Sequence, residues 1–486
     1  MPFDRDFVSM QEARDLAVAA REAQRIWAKA AQADVDRVCE AMANAAFEAS
    51  ERLGRMAAEE TGYGVPTHKT LKNQFASKNV WESIRDIKTV GVVGHDPDRR
   101  IFEIAWPMGV VVALTPSTNP TSTVMFKILA AVKARDAVII APHPSAARCS
   151  LETVRTMAQA AETAGAPAGL ISCMQNVSLP GTQELMHHKY VALILATGGT
   201  PMVRAAHSVG KPAIGVGPGN VPVYVDRSAD IEKAARYIVA SKAFDYSTIC
   251  ATEQSVVADK PIAAELARLM QGQGAYFVDE PQTAALRKTL FYPDGTINAA
   301  AVGKSPQYLA AMAGFQVPET ARILVARLRE TGKNEPLSRE KLTTVLGWYE
   351  EDGWEAGCDR SIQLIQFGGR GHTQIIHAKD NNVVMAFGLE KPVFRILVNT
   401  MGTLGAIGLT TGVMPSLTLG AGGVGGSITG DNITVHHLFN VKRLAFETAP
   451  PPDMALLPHR EVQNGLNPQE IERVVRDIVN EILNSK

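Results

Sequence analysis

Between residues 7 and 62 apolar and polar positions recur at helical spacing in a stretch rich in Ala, Glu and Arg. The spacing predicts two helices that end near "ETGYG", where Gly62 and Gly64 break the pattern. From residue 109 the texture changes. "GVVVALTP", "DAVIIAP", "GLISCMQ", "YVALILA" and "PAIGVG" are short, continuous apolar runs. Between them "PTSTVMFKILAAVKA", "LETVRTMAQAAETAG" and "PMVRAAHSVG" carry helical spacing. Apolar β-branched runs alternating with helices predict an α/β fold, a parallel sheet covered on both faces. Ligands of such sheets sit beyond the carboxyl ends of the strands. A second mixture from about 240 to 430 predicts a second α/β domain, with strands at "TEQSVVAD", "AVG", "ARILVAR", "TTVLGWYE", "QLIQFGG", "TQIIHA", "VVMAFGL" and "FRILVNT". No internal repeat is visible.

The pattern shifts again after residue 446. "ETAPPPDMALLPHREVQNG" carries four prolines and reads as an extended linker. A last helix follows, with Asn467 as N-cap, Pro468 at its first position and Glu470 completing a capping-box-like start. Ile471, Val474, Val475, Ile478, Val479, Ile482 and Leu483 form one continuous apolar stripe. A helix this short is marginal alone in water, so the stripe calls for a partner. Docking on the chain's own domain and docking on another protein both stay open.

Bulk properties narrow the class. A chain of 486 residues exceeds one compact core, so at least two domains are expected. Lys and Arg number 49 against 50 Asp and Glu, a net charge of −1, which gives no bulk attraction to nucleic acid or to an anionic membrane. The N-terminal stretch is charged throughout and lacks an apolar signal region, and no run is long and apolar enough to span a bilayer. Five cysteines without a CxxC pair argue against a disulfide framework and a zinc site, and for a reducing, cytoplasmic setting.

Candidate chemistry lies at a few junctions. "GAGGVG" (Gly420, Gly422, Gly425) has G-x-G-x-x-G spacing, but no helix opens after it, so it reads as a tight loop. In "LATGGTPMVRAAHSVG", Gly198 and Gly199 follow a strand and open a helix, with Thr200 as N-cap and Pro201 in the first turn. Such a junction takes a phosphate or is a plain turn. Asn119, before Pro120, can donate its amide to an oxyanion or simply form a turn. Cys39 lies in an amphipathic helix and Cys173 in a buried strand, both core positions. Cys149 follows a helix start and Cys358 sits in a polar loop, neither with notable neighbours. Cys250 stands where the helix "DIEKAARYIVASKAF" gives way to the strand "ATEQSVVAD", and is a nucleophile or a packed thiol.

Taken together, "TPSTNPTSTVMFK", "PHPSA", "ATGGTPMV", "GVGPGNVPVYVD", "SKAFDYSTICATEQSVV", "PLSREKLTTVL", "GRGHTQIIH" and "PSLTLGAGGVGG" resemble the CoA-acylating aldehyde dehydrogenases. These include the acetaldehyde and propionaldehyde dehydrogenases of bacterial microcompartments and the aldehyde half of bifunctional aldehyde-alcohol dehydrogenases. The likeness runs in order over about residues 5 to 446. It implies an aldehyde dehydrogenase-like fold. A Rossmann-type NAD-binding domain would span 1–91 and 107–237, and a catalytic domain 238–428. A small oligomerisation extension would comprise 92–106 and 429–446, followed by the linker 447–466 and the tail helix 467–486.

The resemblance assigns Cys250 as nucleophile, Asn119 to the oxyanion hole and Glu340 to the nicotinamide ribose. It makes His372 a helper of the CoA thiol, against the plainer reading of a structural hydrogen bond. His143, Pro144 and Ser145 would lie beside the adenosine ribose, and Gly198 and Gly199 at the pyrophosphate turn. Thr115, Pro116, Ser117, Thr197, Val216, Gly217 and Leu342 complete the implied cofactor positions. The implied cofactors are NAD, favoured over NADP, and coenzyme A as co-substrate, with no metal. Hydrolytic relatives carry a glutamate base in E-L-G-G-K-x-P, whereas "VGPGNVP" has Val216 there, so a thioester would wait for the CoA thiol. Acetaldehyde and propionaldehyde are the implied substrates, and a charged aldehyde such as sulfoacetaldehyde would need a basic residue at the pocket. A homodimer or tetramer is implied, and the tail resembles an encapsulation peptide for a microcompartment shell. A hydrolytic dehydrogenase and a catalytically silent scaffold are the alternatives.

Overall fold

The computed structural model describes residues 4–452 and 467–484. Most of the expected linker, 453–466, therefore lies outside the described residues. The chain divides into two units, one of residues 1–93 and 104–442, the other of 94–103 and 443–486.

The first sheet of the larger unit is built from β3 (Val110–Thr115), β4 (Ala137–Pro142), β5 (Ile171–Cys173), β6 (Val191–Thr197) and β7 (Ala213–Val216). Its strands are parallel and ordered β5-β4-β3-β6-β7. β3 and β4 are buried at every position, as their unbroken apolar runs require. Chain direction across the sheet reverses between β3 and β6, which opens a crevice at their carboxyl ends. Helix Pro120–Lys133 leaves β3 there and is buried along its whole length. Its Lys127 ammonium donates to the carbonyls of Leu114 (2.6 Å) and Leu195 (2.8 Å), tying the two strands below the crevice.

The second sheet comprises β8 (Val221–Val225), β9 (Glu253–Asp259), β10 (Ala275–Val278), β11 (Ile323–Arg327), β12 (Val345–Glu351), β13 (Gly371–His377) and β14 (Val393–Val398). It is parallel, in the order β10-β11-β12-β9-β8-β13-β14. A three-stranded sheet joins β1 (Val92–Asp96), β2 (Ile101–Pro107) and β15 (Phe439–Ala445).

Several boundaries differ from the sequence reading. β8 belongs to the second sheet, so the chain crosses over before residue 221, not after 237. "VPVYV" is a buried β-branched run like those before it, and nothing local marks the change of sheet. Ile433, Val435 and Leu438 are fully buried in the first core, so 432–438 packs into the core instead of protruding. "QLIQFGG" and "VVMAFGL" fall in helices Trp354–Gly368 and Asn381–Glu390, and "AVG" follows a single 3₁₀ turn. Short apolar runs do not separate strand from helix. The N-terminal region folds as three helices, Arg5–Trp27, Gln32–Glu48 and Ser50–Thr61. Cys358 lies not in a polar loop but in helix Trp354–Gly368, buried against the Lys391 ammonium and 3.5 Å from Glu390 Oε2.

In the smaller unit Arg100 donates to the Glu447 carbonyl (2.6 Å) and its guanidinium lies over the Phe446 ring. Helix Pro468–Asn484 begins as expected: Gln469 N–H donates to Asn467 Oδ1 (2.7 Å) and Asn467 N–H to Glu470 Oε2 (3.1 Å).

Candidate active site

The approach to Cys250 is conformationally costly. After helix Ile231–Ala243 three consecutive non-glycine residues take left-handed φ: Asp245 (48°), Tyr246 (49°) and Ser247 (67°). Each such residue costs on the order of 1–3 kcal/mol, so the surrounding structure must impose it. Asp245 supplies the restraint. Its carboxylate accepts from Val65 N–H (2.7 Å), Lys69 Nζ (3.1 Å), Lys72 Nζ and the Thr248 hydroxyl (2.5 Å). Its own N–H donates to His68 Nδ1 (2.8 Å). Burial pushes the Asp245 carboxyl up, but the two ammonium groups outweigh it and hold it at about 2. Burial lowers the Lys72 ammonium to about 7, against the Asp245 charge that raises it.

Cys250 follows, partly accessible, packed against the second core. Burial pushes its thiol up to about 12, and the Glu340 charge adds to this. Arg395 and the amides of Cys250 and Ala251 act the other way. Arg395 is itself buried and donates to the carbonyls of His372 (2.9 Å), Gly420 (2.5 Å) and Gly430 (2.9 Å).

Asn119 sits at the N-terminus of helix Pro120–Lys133 but does not cap it. Its Nδ2 donates to the Thr248 carbonyl (3.0 Å) and Thr118 Oγ1 (3.2 Å), and its Oδ1 accepts from Lys72 Nζ (2.5 Å). The amide nitrogen is thus turned toward the loop that carries Cys250. Glu340 comes from the loop after β11, where the Lys341 ammonium donates to the carbonyls of Gln254, Leu337 and Arg339 and pins the backbone. Glu340 Oε1 accepts from the Gly219 amide (2.8 Å), and burial raises its carboxyl to about 8.

One cavity of about 970 Å³, counting its open mouth, gathers most of the expected residues. Pro116, Ser117, Asn119, His143, Thr197, Gly198, Gly199, Val216, Gly217, Cys250, Glu340 and Leu342 line it. Thr115, Pro144, Ser145 and His372 are not on its wall. Thr115 is buried beneath it at the end of β3, and the His143 ring turns back on Ser145 (Nδ1 to Oγ, 2.8 Å). His372 is buried behind Gly219, its Nδ1 3.0 Å from Thr373 Oγ1 and its Nε2 without a partner. Burial, reinforced by Arg395, lowers its pKa to about 3, so the ring is neutral.

The residues fit a dinucleotide. The cavity lies over the β3–β6 crevice, where such sheets bind nucleotides. Helix Thr200–His207 starts at the residue expected to cap it, so that its N-cap is Gly199, and no side chain caps its first amides. At Gly198 a β-carbon would come within 2.8 Å of Met202 Sδ, so the turn is filled without one. These open amides offer donors to a pyrophosphate, and Glu340 offers a carboxylate to a ribose. The sequence reading missed Lys72, Asp245, Arg395 and Gly219. The signal for the first was "HKTLKN", where Lys69 and Lys72 are three apart on a buried helix face.

A sequence model described as "Aldehyde dehydrogenase family" matches residues 8–279. The chain is 41% identical over 423 residues to aldehyde-alcohol dehydrogenase 2 of Entamoeba histolytica, an alignment covering 85% of this chain and 49% of that one. The chain spans about half the length of the aldehyde-alcohol dehydrogenases it matches. A crystal structure of an acetylating aldehyde dehydrogenase from Geobacillus thermoglucosidasius superposes with a TM-score of 0.91 at 49% identity, covering 93% of this chain and 99% of that one. A propionaldehyde dehydrogenase of Rhodopseudomonas palustris with bound propionyl-CoA superposes with a TM-score of 0.82 at 27% identity, covering 89% and 94%. The chain belongs to the aldehyde dehydrogenase family, in its acylating branch.

Proposed function

We propose that this chain is an NAD-dependent, CoA-acylating aldehyde dehydrogenase that converts a short aliphatic aldehyde to its acyl-CoA. One observation carries the reading. The Cys250 thiol, the Asn119 amide and the Glu340 carboxylate share a cavity with the Gly198–Gly199 turn, and that cavity's wall at Val216 offers no base. When bound, NAD supplies the hydride acceptor and coenzyme A the acyl-accepting thiol.

The residues' work follows from their places. Cys250, once deprotonated, attacks the aldehyde carbonyl through Sγ. The oxyanion that forms is met by the Cys250 N–H and by Asn119 Nδ2, which exchanges its bond to Thr118 Oγ1 (3.2 Å) for the oxyanion, each such donor contributing about 3 kcal/mol in comparable sites. Loss of hydride from the adduct leaves a thioester on Cys250. Val216 provides no carboxylate to activate water, so the thioester persists until a thiol displaces it and Cys250 leaves as thiolate. Gly198, Gly199 and the first amides of helix Thr200–His207 hold the pyrophosphate, and Glu340 holds the nicotinamide ribose. His372, behind Gly219, braces the nucleophile loop from outside the cavity.

The walls favour an aliphatic substrate. Ile249, Ile407, Leu417 and Leu419 line the cavity, and neither Lys nor Arg does among the described residues. That supports acetaldehyde or propionaldehyde over a sulfonated aldehyde. A homodimer or tetramer is supported by edge strand β14, where Phe394 and Val398 are 52% and 40% exposed. The tail helix is read as a docking peptide for a microcompartment protein, through helix-in-groove recognition. No helix among the described residues is long and apolar enough to cross a membrane.

The test is NADH formation from propionaldehyde or acetaldehyde and NAD⁺, with and without CoA, for the wild type and Cys250→Ala. Turnover that needs CoA and vanishes in the variant is expected. Equal turnover without CoA would make the enzyme hydrolytic, and none with either aldehyde would point to another aldehyde or to the scaffold reading.

A further inference from the structure

Two lysines converge on one buried carboxylate behind the oxyanion amide. Lys69 and Lys72 project from helix Pro66–Gln74 with side chains 2% exposed, and both reach Asp245, which is fully buried. Their remaining bonds differ. Lys69 Nζ donates to the Thr118 carbonyl (3.0 Å). Lys72 Nζ donates to the Asn119 side-chain oxygen (2.5 Å) and lies 3.3 Å from the Thr248 hydroxyl. With Lys72 protonated, two buried ammonium groups face one carboxylate and leave an excess of one positive charge, which is present as pH falls below the lysine's pKa of about 7. Stability alone does not call for that, because desolvating an extra charge costs more than packing an apolar side chain of similar size.

The excess charge is placed where an oxyanion benefits. An ammonium on Oδ1 fixes the rotamer of the amide, so Nδ2 and not Oδ1 faces the Cys250 side. It also draws electron density through the planar amide, which strengthens the Nδ2–H groups as donors in a medium of low dielectric. Lys72 Nζ bonds Asn119, Asp245 and Thr248 and makes no bond to Cys250. Its influence on the reaction therefore runs through Asn119.

We propose that Lys72 is a positioning residue of the oxyanion hole, orienting and polarising the Asn119 amide so that the Lys69–Lys72–Asp245 cluster delivers positive charge to the tetrahedral adduct on Cys250. The inference rests on the acylating reading above and extends it to a residue buried behind the cavity wall.

The test compares the full-length wild type with Lys72→Met, alone and combined with Asn119→Ala. Three quantities are read: the first-turnover burst of NADH with propionaldehyde, the KM for aldehyde, and the rate at which iodoacetamide alkylates Cys250. Lys72→Met is expected to slow the burst by roughly 10- to 100-fold and to leave KM within about twofold. Alkylation should also stay within about twofold, since the thiol itself is untouched. In the Asn119→Ala background the lysine substitution should cost almost nothing further. An unchanged burst, losses that multiply in the double variant, or alkylation that falls in step with the burst would overturn the proposal. Should Lys72→Met fail to fold, Lys72→Gln carries the same three measurements, with Asp245 still paired to Lys69. Absence of CoA-dependent turnover in the wild type would instead sink the acylating reading.

Discussion

Glu340 Oε1 is held 2.8 Å from the amide of Gly219, which places a carboxylate within electrostatic reach of the Cys250 thiol. The same side chain that suits a ribose therefore opposes formation of the thiolate. Glu340→Gln separates the two effects. Alkylation of Cys250 by iodoacetamide at pH 9.5, where Glu340 with its pKa of about 8 is ionised, should become faster, by roughly 3- to 10-fold, because a charge that raised the thiol is gone. NADH formation should fall, with weaker NAD binding measured by fluorescence titration. Slower alkylation in the variant would show that Glu340 does not act on Cys250 through its charge.

Gly219 is fixed by its neighbours. A β-carbon there would lie 2.6 Å from the Cys250 carbonyl oxygen and 2.8 Å from His372 Nδ1. The first is backbone of the nucleophile loop and the second a buried ring, so neither yields cheaply. Gly219→Ala is expected to lose about 1–3 kcal/mol of stability and to displace Cys250. Thermal unfolding and the Cys250 alkylation rate report the two effects. A variant with unchanged Tm and unchanged alkylation would refute this account of the packing.

The sheet and its crevice were legible because buried parallel strands announce themselves as apolar runs: Val110–Thr115 and Ala137–Pro142 stand where their patterns put them. The runs at 363–369 and 383–389 misled because a helix packed on such a sheet is nearly as apolar as a strand, and Phe387, fully buried in helix Asn381–Glu390, shows why. Cys250, Asn119 and Glu340 share one cavity, as the motif resemblance implied. Lys72 escaped notice because its partners, Asp245 and Asn119, lie 173 and 47 residues away in the chain. A lysine on a helix reads as solvent-facing until the fold brings a carboxylate to it.

Asp245 is a stability element as well as a restraint on the loop. Its folded pKa of about 2 lies below the unfolded value of about 3.9. A depressed carboxyl contributes stability that is complete above the unfolded value and is lost as pH falls toward the folded one, here between about pH 4 and 2. Asp245→Asn leaves two buried ammonium groups without their carboxylate and is expected to cost about 3–5 kcal/mol at neutral pH. Urea unfolding at pH 7 and pH 3 measures both statements. Equal stability of variant and wild type at pH 7 would contradict them.

Under the proposed mechanism Val216 is the position that decides the fate of the thioester. It ends β7, is 2% exposed and lines the cavity. Val216→Glu introduces a carboxylate that can activate water, and its burial raises its pKa toward the range useful to a general base. The variant is expected to form NADH from propionaldehyde without CoA, which the wild type should not. If V216E stays strictly CoA-dependent while Cys250 remains alkylatable, the missing base is not what protects the thioester.

The tail helix offers the last test. Ile471, Val474, Val475 and Ile478 share one face and are 43–53% exposed. A single helix of 17 residues gains little from propensity alone, so this face must be covered for the helix to persist in water. Val475→Asp places a charge at the centre of the stripe without touching the catalytic cavity. Read as a docking peptide for another protein, the stripe leaves self-association alone: sedimentation of the full chain at rising concentration should be the same for the variant and the wild type. kcat with propionaldehyde, NAD⁺ and CoA should be unchanged. A fall in kcat would mean that the helix serves the enzyme itself. Less assembly of the variant would mean that the stripe is covered by a second copy of this chain and not by a different protein.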